Sequence, residues 1–263
     1  MAEEYAGAQA RFYSQYFRGV EGDEAFYLDL ARRAEGPVLE LGCGEGRLLL
    51  PLARAGIEVV GLERSAAMLA ALRARLESED AAVRRRVRVV EGDMAALELD
   101  GDFPLVLAPY RAFQHLLTPV DQTEALIGLR EHLEPGGLFA FNIYDFQREM
   151  AEQWVHGPGV WRQDSDFVDR ASGHRVNVSF NRRFDVETQL LEQDLLYEES
   201  DPSGAVVGRH RGQLTFRYTF RHEMEYLLEL CGFEVEALYG DFNGGPYPGW
   251  GEQVWLARRV ESP

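Results

Sequence analysis

A glycine-rich segment and two acidic residues carry the clearest chemical signal in the sequence. Glycines 42, 44 and 46 stand in the segment Glu40–Arg47 (ELGCGEGR), directly after a short apolar run. Glycines at such a place let the backbone approach a ligand closely, in a crevice at the carboxyl ends of parallel strands. Glu63 ends the next apolar run, 19 residues after Gly44. A carboxylate there can accept hydrogen bonds from both hydroxyls of a ribose; a charge at a helix start beside Ser65 is the alternative role.

The spacing of these glycines separates two classes of ligand. A dinucleotide-binding loop reads G-x-G-x-x-G, with the pyrophosphate at the start of the following helix. Here the spacing is G-x-G-x-G, and the acidic Glu40 precedes it. A carboxylate would repel a pyrophosphate but attract an ammonium or a sulfonium group. The chain also lacks a second mononucleotide-binding half, so a nicotinamide oxidoreductase is a disfavoured alternative.

Residues 37–143 must supply the elements that position this loop. Short apolar runs that end at glycines or acids alternate with segments of helical spacing, which is typical of a parallel sheet covered on both faces. The predicted strands are 37–41, 59–62, 87–90, 105–108 and 138–143, and the predicted helices are 47–55, 65–79 and one that ends near Leu133 before the turn 134–137.

From about residue 160 to 220 the apolar period changes to two. The alternating runs are 176–180, 191–197 and 214–220, separated by turn signals at 171–173 and 201–204. This pattern predicts an antiparallel sheet with one solvent-exposed face, inserted into the α/β fold. A helix over 223–230, capped by Gly232, and two last strands at 233–238 and 253–257 complete the predicted fold.

Composition excludes several function classes. The 263 residues carry 27 basic and 44 acidic side chains, a net charge of −17, which disfavours nucleic acid as a partner. All of the basic residues are Arg, so Schiff-base and phosphate-loop lysine chemistry is absent. No apolar run reaches the roughly 18 residues of a membrane span. Two cysteines in unlike contexts and the lack of a signal peptide predict a cytoplasmic protein. The histidines have no metal-ligand spacing, and we predict no metal.

The sequence resembles the class I S-adenosylmethionine-dependent methyltransferases over about residues 37–143 and again over 215–258. Residues 38–47 (VLELGCGEGR) look like the first motif of the family, and residues 61–69 (GLERSAAML) resemble the second, with Glu63 in place of the commoner Asp. Gly92-Asp93-Met94 is similar to the segment that meets adenine, and 133–137 (LEPGG) to the turn before the fifth strand. The resemblance implies a doubly wound, mostly parallel seven-stranded sheet of Rossmann-like form whose last strand is antiparallel.

The resemblance also implies S-adenosylmethionine as the cofactor and a role for each motif residue. Glycines 42, 44 and 46 would pass under the methionine moiety, Glu40 would balance its positive end, and Glu63 would hold the ribose. Asp93 and Met94 would grip adenine, with Met68 on its other face or simply in the core. Arg47 fits a carboxylate contact and a helix-surface charge equally. The predicted cofactor-binding residues are Glu40, Gly42, Cys43, Gly44, Gly46, Glu63, Arg64, Met68, Gly92, Asp93, Met94 and Tyr13.

Methyl transfer requires an aligned nucleophile, and a base only when that nucleophile arrives protonated. In this fold the end of the fourth strand faces the methyl group, and here it reads APYRAFQHL (108–116). An aromatic residue and a His after the strand resemble the small-molecule branch of the family, so Tyr110 and His115 are the predicted catalytic residues. A histidine that only caps the helix is the alternative for His115. The aromatic segment with Tyr5, Phe12, Tyr13, Tyr16 and Phe17 either closes over the cofactor or packs on a sheet.

These expectations divide the chain into three parts. Residues 1–36 form an N-terminal helical cap, residues 37–145 and 220–260 the cofactor-binding core, and residues 146–219 an inserted antiparallel sheet on the substrate side. The predicted function is transfer of a methyl group to an N or O atom of a small metabolite, with no nucleic-acid or membrane partner. An RNA or protein methyltransferase, which predicts a basic rim, and a non-catalytic S-adenosylmethionine-binding protein are the alternatives.

Overall fold

The computed structural model describes residues 7–260, which fall into two compact units. The core unit holds residues 19–146 and 218–260, and the second unit holds residues 7–18 and 147–217. The helices are α1 Ala8–Tyr16, α2 Asp23–Arg33, α3 Leu49–Arg54, α4 Ala66–Glu77, α5 Ala81–Arg84, α6 Pro119–His132, α7 Gln147–His156 and α8 Arg221–Leu230. The strands are β1 Val38–Leu41, β2 Val59–Glu63, β3 Val87–Glu91, β4 Phe103–Ala108, β5 Leu133–Asp145, β6 Arg162–Val168, β7 Arg175–Asp185, β8 Leu190–Ser200, β9 Val206–Arg217, β10 Phe233–Tyr239 and β11 Gly251–Arg259.

The core unit contains one seven-stranded sheet, in the order β10-β11-β5-β4-β1-β2-β3. β1 pairs in parallel with β2 and with β4, β2 with β3, and β4 with β5, whereas β11 is antiparallel to both of its neighbours. The predicted α/β fold, doubly wound with an antiparallel last strand, is confirmed. The carboxyl ends of β1, β2, β3, β4 and β5 therefore meet at one edge of the sheet, where ligands bind in folds of this kind.

Alternate residues of the central strands enter two separate apolar layers. Leu39 of β1 and Val106 of β4 belong to one buried cluster, while Val38 and Leu105 belong to the other. Since helices cover both faces, the strands are apolar at nearly every position, and each buried leucine or valine stabilises the fold by roughly 1.5–3 kcal/mol. These layers hold the strand ends rigidly, which is what a site at that edge requires.

The starts of α3 and β5 differ from those predicted for the core unit. α3 begins at Leu49 and not at Arg47, because the chain is still turning through Gly46, which has a left-handed φ of 82°. β5 begins at Leu133, before the predicted turn, but its pairing with β4 jumps from Leu133 to Leu138. The residues skipped in that register shift are the predicted turn 134–137, which therefore forms a bulge.

The second unit contains a four-stranded antiparallel sheet in the order β6-β7-β8-β9. The three predicted alternating runs correspond to β7, β8 and β9, but β6 and α7 were not predicted. In β6 only Phe167 is buried, so its sequence shows no apolar alternation. The predicted run 214–220 is shorter in the structure, because β9 ends at Arg217 and Phe220 already caps α8.

Helix α1 packs on the apolar face of this sheet. The Phe12 ring lies 5.2 Å from the ring of Tyr197 and 5.7 Å from that of Phe167, measured between centroids. Tyr16 and Phe17 pack against the same cluster. These contacts agree with the packing role considered for the N-terminal aromatic residues; Tyr5 lies outside the described residues.

A buried polar cluster also ties α1 to the inserted sheet. Arg11 Nη2 lies 2.5 Å from an Asp169 oxygen and 2.8 Å from a Glu199 oxygen, and Gln15 donates to Asp169 at 3.0 Å. Burial raises the pKa of Glu199, but hydrogen bonds from Arg11 and His210 outweigh it and hold that pKa at about 2. Burial also raises the pKa of Asp169. Hydrogen bonds from Gln15 and Arg11 outweigh that effect, and the pKa of Asp169 lies well below its usual range.

Acid should weaken this cluster, and Glu199→Gln should remove part of that effect. A carboxyl whose folded-state pKa is depressed stabilises the protein above its unfolded-state pKa, near 4.3, and loses that contribution as the pH falls towards the folded value. We expect the variant to be less stable than the wild type by about 1.5–3 kcal/mol at pH 7, as for a lost charged hydrogen bond, with the difference shrinking between pH 5 and pH 2. Thermal unfolding across that range measures it.

Glu198→Gln is the matched control for this prediction. Glu198 is the neighbour of Glu199 in β8 but pairs with Arg209, whose side chain is 65% exposed. Exposed pairs of this kind contribute about 0–1 kcal/mol. If the thermal unfolding midpoints of the wild type and of Glu199→Gln fall in parallel as the pH is lowered, the stabilising role of the Glu199 carboxylate is contradicted.

Candidate functional site

The glycine loop leaves β1 in a conformation that side chains rarely adopt. Gly42, Gly44 and Gly46 have φ values of 66°, 56° and 82°. A Cβ atom at Gly42 would lie 3.0 Å from the Cβ of Ala112 and 3.5 Å from the Cε of Met94. At Gly42 the backbone therefore passes close to the segment that follows β4 and to Met94, the methionine predicted to contact adenine. The absence of a side chain at Gly42 permits this close approach.

Glu63, at the carboxyl end of β2, is bound to the glycine loop. Its Oε2 accepts a hydrogen bond from the Gly44 N–H at 2.9 Å, and its Oε1 accepts one from the Ser65 N–H at 2.7 Å. Ser65 is the N-cap of α4, and its hydroxyl accepts from the Met68 N–H. The helix-start role considered for Glu63 is therefore present, and the same carboxylate also reaches the loop predicted to hold the cofactor.

Glu40 is a buried acid that lacks a partner at one oxygen. The residue is 2% exposed, and its Oε2 makes no hydrogen bond within the described part of the chain. Burial raises the pKa of Glu40 to about 8; Arg47 opposes the rise, and the carboxylates of Glu63 and Asp23 add to it. A buried acceptor without a donor costs about 1–3 kcal/mol. A cationic group of a bound ligand would favour the ionised acid, and an ammonium would also supply the missing hydrogen-bond donor, so the chemistry of this position fits the cationic methionine end of the cofactor.

Arg47 follows the loop and is held by α2. Its Nη1 donates to Asp23 Oδ1 at 3.0 Å, and its Nη2 lies 2.7 Å from Asp23 Oδ2. Asp23 is 3% exposed. The guanidinium thus forms an ion pair with a buried carboxylate, with one hydrogen bond from Nη1, and Arg47 lies in the turn before α3 and not on the surface of that helix. Asp23 was not predicted, because nothing local in the sequence marks an acid in α2 as the partner of a loop residue.

The residues predicted to meet adenine lie at the ends of β2 and β3. Glu63 and Glu91 are register partners, and the Gly92 N–H donates to the Glu63 carbonyl at 3.1 Å. Asp93 Oδ1 accepts from the Ala95 N–H at 3.0 Å, and its Oδ2 lies 3.4 Å from Arg64. Met94 approaches Gly42 as described, and Met68 is buried in the first turn of α4. The structure thus brings the motif residues of three strands to one edge.

Cys43 lies beneath the loop. A Cβ atom at Gly61 would lie 2.7 Å from the Cys43 Sγ, so the thiol packs closely on the backbone of β2. Burial raises the pKa of this thiol well above its usual value, and the carboxylates of Glu40 and Glu63 raise it further. A thiol held protonated in this way is a poor nucleophile, which agrees with its interpretation as a small neutral filler.

The segment after β4 contains the two predicted catalytic residues. Tyr110 and Arg111 have positive φ values of 53° and 67°, and the single-turn helix 112–115 that follows ends at His115. The Tyr110 N–H donates to the Oδ1 of Asn142 at 2.7 Å. Asn142 was not predicted as a site residue, although a lone amide inside the apolar run FAFNI of β5 was a usable signal.

One predicted cofactor-binding residue, Tyr13, belongs to a different compact unit from the others. Tyr13 belongs to α1 of the second unit, where its ring lies 5.0 Å from that of Phe17. Over residues 7–260, no group of three or more His, Cys, Asp or Glu side chains is arranged to hold a metal ion. In the same range no helix combines the length and apolar character needed to cross a membrane.

Comparison with known proteins supports the same assignment. Residues 38–137 match the family model described as "Methyltransferase domain". The chain is 34% identical over 213 residues to the cypemycin N-terminal methyltransferase of a Streptomyces species, covering 80% of this chain and 77% of that one. It is 29% identical over 209 residues to the dTDP-3-amino-3,4,6-trideoxy-alpha-D-glucopyranose N,N-dimethyltransferase of Streptomyces venezuelae, covering 79% of each. The CcbJ methyltransferase of Streptomyces caelestis superposes with a TM-score of 0.76 at 25% identity, over 92% of this chain and 90% of that chain.

The fold, the motif positions and these similarities agree. Strand order, the glycine loop and the acid at the end of β2 are those of the predicted family, and the similarity to the cypemycin enzyme extends well beyond the cofactor motifs to 80% of the chain. The chain belongs to the class I S-adenosylmethionine-dependent methyltransferases, and S-adenosylmethionine is its cofactor.

Proposed function

We propose that this enzyme methylates an amine nitrogen of a small metabolite, with amino sugars as the favoured class of acceptor. The observation that carries the methyl-donor half is the buried Glu40 oxygen without a partner, beside a left-handed glycine loop and Glu63. The acceptor half is supported by the Streptomyces venezuelae relative, whose name specifies the amine of a nucleotide-linked sugar. The net charge of −17 supports a small molecule over RNA.

The cofactor-binding residues proposed for this site follow the geometry of the three strand ends. Glu40 faces the cationic methionine end over the glycines, Glu63 accepts from the ribose hydroxyls, and Asp93 accepts from the adenine amino group. The full set in the core unit is Glu40, Gly42, Cys43, Gly44, Gly46, Glu63, Arg64, Met68, Gly92, Asp93 and Met94. When bound, S-adenosylmethionine supplies an electrophilic methyl group on a positively charged sulfur.

The residues after β4 are proposed to prepare the acceptor. An amine attacks only through its free lone pair, so an acceptor that arrives as an ammonium ion must lose a proton first. His115 is proposed to take that proton or to orient the amine, and Tyr110 to position it in line with the methyl group. Tyr110 suits a neutral hydroxyl role, because burial raises its pKa despite the nearby Arg111 and Arg47.

A second candidate acceptor is the terminal amine of a peptide. It is favoured by the cypemycin N-terminal methyltransferase, at 34% identity. The nucleophile and the required proton loss are the same for both candidates, so the two acceptors differ in what surrounds the amine.

We further assign residues 146–219 to acceptor recognition and residues 1–36 to a cap. We also place the enzyme in the cytoplasm, without a nucleic-acid or membrane partner.

A labelled-methyl assay tests the proposal. The purified protein is incubated with methyl-labelled S-adenosylmethionine and, separately, nucleotide-linked amino sugars, free amino sugars, short peptides with free N-termini, and transfer RNA. We expect label in an amino sugar and none in its N-acetylated form, which is the matched control because the acetyl group delocalises the nitrogen lone pair and leaves the rest of the sugar unchanged. Label in peptides alone would replace the favoured acceptor by the second candidate. Binding of S-adenosylhomocysteine without transfer to any amine would overturn the proposal.

A further inference from the structure

Two strained residues begin the segment that follows β4. Tyr110 and Arg111 both have left-handed φ values, 53° and 67°, and neither is a glycine. For a residue with a Cβ atom this conformation costs roughly 1–2 kcal/mol, and it persists only where the surroundings hold it. Two such residues in succession, beside the proposed acceptor position, therefore need support from elsewhere in the core unit.

Asn142 of β5 supports the first of them. The residue is fully buried, and its Oδ1 accepts the Tyr110 N–H at 2.7 Å and the Tyr27 hydroxyl at 3.0 Å. The Tyr110 N–H cannot be satisfied by regular strand pairing, because β4 has ended at Ala108. The amide side chain of Asn142 replaces that pairing.

Glu252 of β11 supports the second. Its Oε1 accepts the Arg111 Nε–H at 3.0 Å and also contacts the Arg111 Nη2, while its Oε2 accepts from Asn142 Nδ2 at 2.9 Å. The pairing of β11 with β5 places Glu252 opposite Tyr144 and Val254 opposite Asn142. Asn142 and Glu252 are therefore diagonal neighbours across two antiparallel strands, within side-chain reach.

These bonds determine where the Tyr110 ring lies. Its centroid is 5.2 Å from the guanidinium carbon of Arg47 and 5.8 Å from that of Arg111. Arg111 in turn lies 4.6 Å from the centroid of the Tyr144 ring. Both arginines are held by buried or nearly buried carboxylates, Asp23 and Glu252, so the ring is placed between two fixed cations.

We propose that Asn142 and Glu252 are positioning residues, which hold Tyr110 and Arg111 in their left-handed conformation so that Tyr110 is presented to the acceptor amine. This inference rests on the proposed function for the identity of the acceptor side. Within residues 7–260, neither Asn142 nor Glu252 forms a hydrogen bond with the glycine loop or with Glu63. The pair should therefore govern turnover and leave the affinity for the cofactor product unchanged.

An exchange of the two polar groups tests this pair. Asn142→Asp replaces the Nδ2 donor, whose hydrogen bond Glu252 accepts, by a second carboxylate oxygen. Glu252→Gln replaces one of the two carboxylate oxygens by an amide nitrogen, which leaves one donor of the network without an acceptor. The double variant Asn142→Asp with Glu252→Gln restores one donor and one acceptor at each contact and keeps the total charge. With the panel amine of highest turnover, we expect each single variant to lower kcat about tenfold, with the Kd for S-adenosylhomocysteine within threefold of the wild type, and the double variant to recover kcat to within threefold.

Tyr27→Phe is the matched control, because it removes the other donor on the Asn142 Oδ1 and leaves the Tyr110 bond in place; its kcat should stay within threefold of the wild type. Unchanged turnover in both single variants overturns the proposal, and so does a folded double variant without recovery. If the wild-type protein transfers no methyl group to any amine, that result contradicts the proposed function and not the positioning role of this pair.

Hydrogen exchange of the wild-type protein tests the pair without any substrate. The Tyr110 amide should exchange at least about tenfold more slowly than the Arg111 amide, because only the first is bonded to a buried side chain. A Tyr110 amide that exchanges at the rate of an unstructured peptide overturns the proposal, even if the substituted proteins fail to fold.

Discussion

Replacing Glu63 by Ala is expected to weaken binding of S-adenosylhomocysteine by about 1–3 kcal/mol, or roughly 5- to 150-fold in Kd. The physical reason is twofold. The carboxylate is the proposed acceptor for the ribose hydroxyls, and its Oε2 also holds the Gly44 N–H of the cofactor loop at 2.9 Å. Loss of the side chain removes both contacts. Titration calorimetry at neutral pH measures the effect directly.

Glu91→Ala is the matched control for Glu63. Glu91 is the register partner of Glu63 at the end of the neighbouring strand, but it is exposed. Its loss removes the same charge from the same edge of the sheet, so a purely long-range electrostatic effect would appear in both variants. An affinity that is equal in the wild type and in Glu63→Ala would refute the ribose assignment, while equal losses in the two variants would reduce it to a general charge effect.

Local patterns predicted where the glycine loop and Glu63 lie, at the ends of two neighbouring parallel strands. Gly44 and Glu63 are 19 residues apart, within one strand–helix–strand unit, and the parallel pairing of β1 with β2 makes their contact almost unavoidable once both strands form. The acid and the glycines could therefore be located from residue types and spacing, while their roles towards the cofactor stay predictions. The central strands were equally readable, because strands buried on both faces must be apolar throughout.

The acceptor side was less readable, because its support comes from distant segments. Glu252 and Arg111 are 141 residues apart, and Glu252 and Asn142 are 110 apart. Their meeting depends on the register of β5 against β11, which no short sequence window contains. For the same reason Tyr110 and His115 could be selected from their position after β4, while the residues that hold Tyr110 could not.

The second unit shows the same limit. Arg11 meets Asp169 across 158 residues, and β6 contains almost no apolar alternation because only Phe167 is buried. The predicted antiparallel insertion is present: β8 buries alternate residues along its length, and β7 does so at Val176 and Val178. Most residues of β6 are polar or charged, so the strand depends on its backbone hydrogen bonds to β7. Hydrophobic periodicity in the sequence cannot detect a strand of this kind.

Glu40→Gln is expected to abolish a pH dependence of cofactor binding that the wild type shows. In the unliganded protein burial raises the pKa of Glu40 to about 8, so the acid is mostly protonated at pH 7. A cationic methionine group beside it favours the carboxylate, so binding must release this proton. Between pH 6 and pH 7.5, where the ammonium group of the ligand stays largely charged, the association constant of the wild type should rise about 25-fold, in proportion to the ionised fraction of Glu40. At pH 7.5 the variant should bind about 30- to 150-fold more weakly, as for loss of a buried charge pair worth roughly 2–3 kcal/mol.

The stability of the unliganded protein should change with the opposite sign. The folded-state pKa of Glu40 lies above the ordinary value of 4.5, so the folded protein binds more protons than the unfolded chain between those two values. Its free energy of unfolding therefore falls as the pH rises through that window, and Glu40→Gln should flatten the fall. The cofactor reverses the preference, because it supplies the partner that the buried Oε2 lacks.

Calorimetry in two buffers of different ionisation enthalpy separates these effects, because it counts the protons released on binding. At pH 7 the wild type should release close to one proton per cofactor bound, and Glu40→Gln close to none. Glu58→Gln is the control, since that acid is exposed just before β2 and should behave as the wild type. Equal proton release in the wild type and in Glu40→Gln would mean that Glu40 is not the acid that faces the cationic end of the cofactor, and the charge argument for this loop would fail with it.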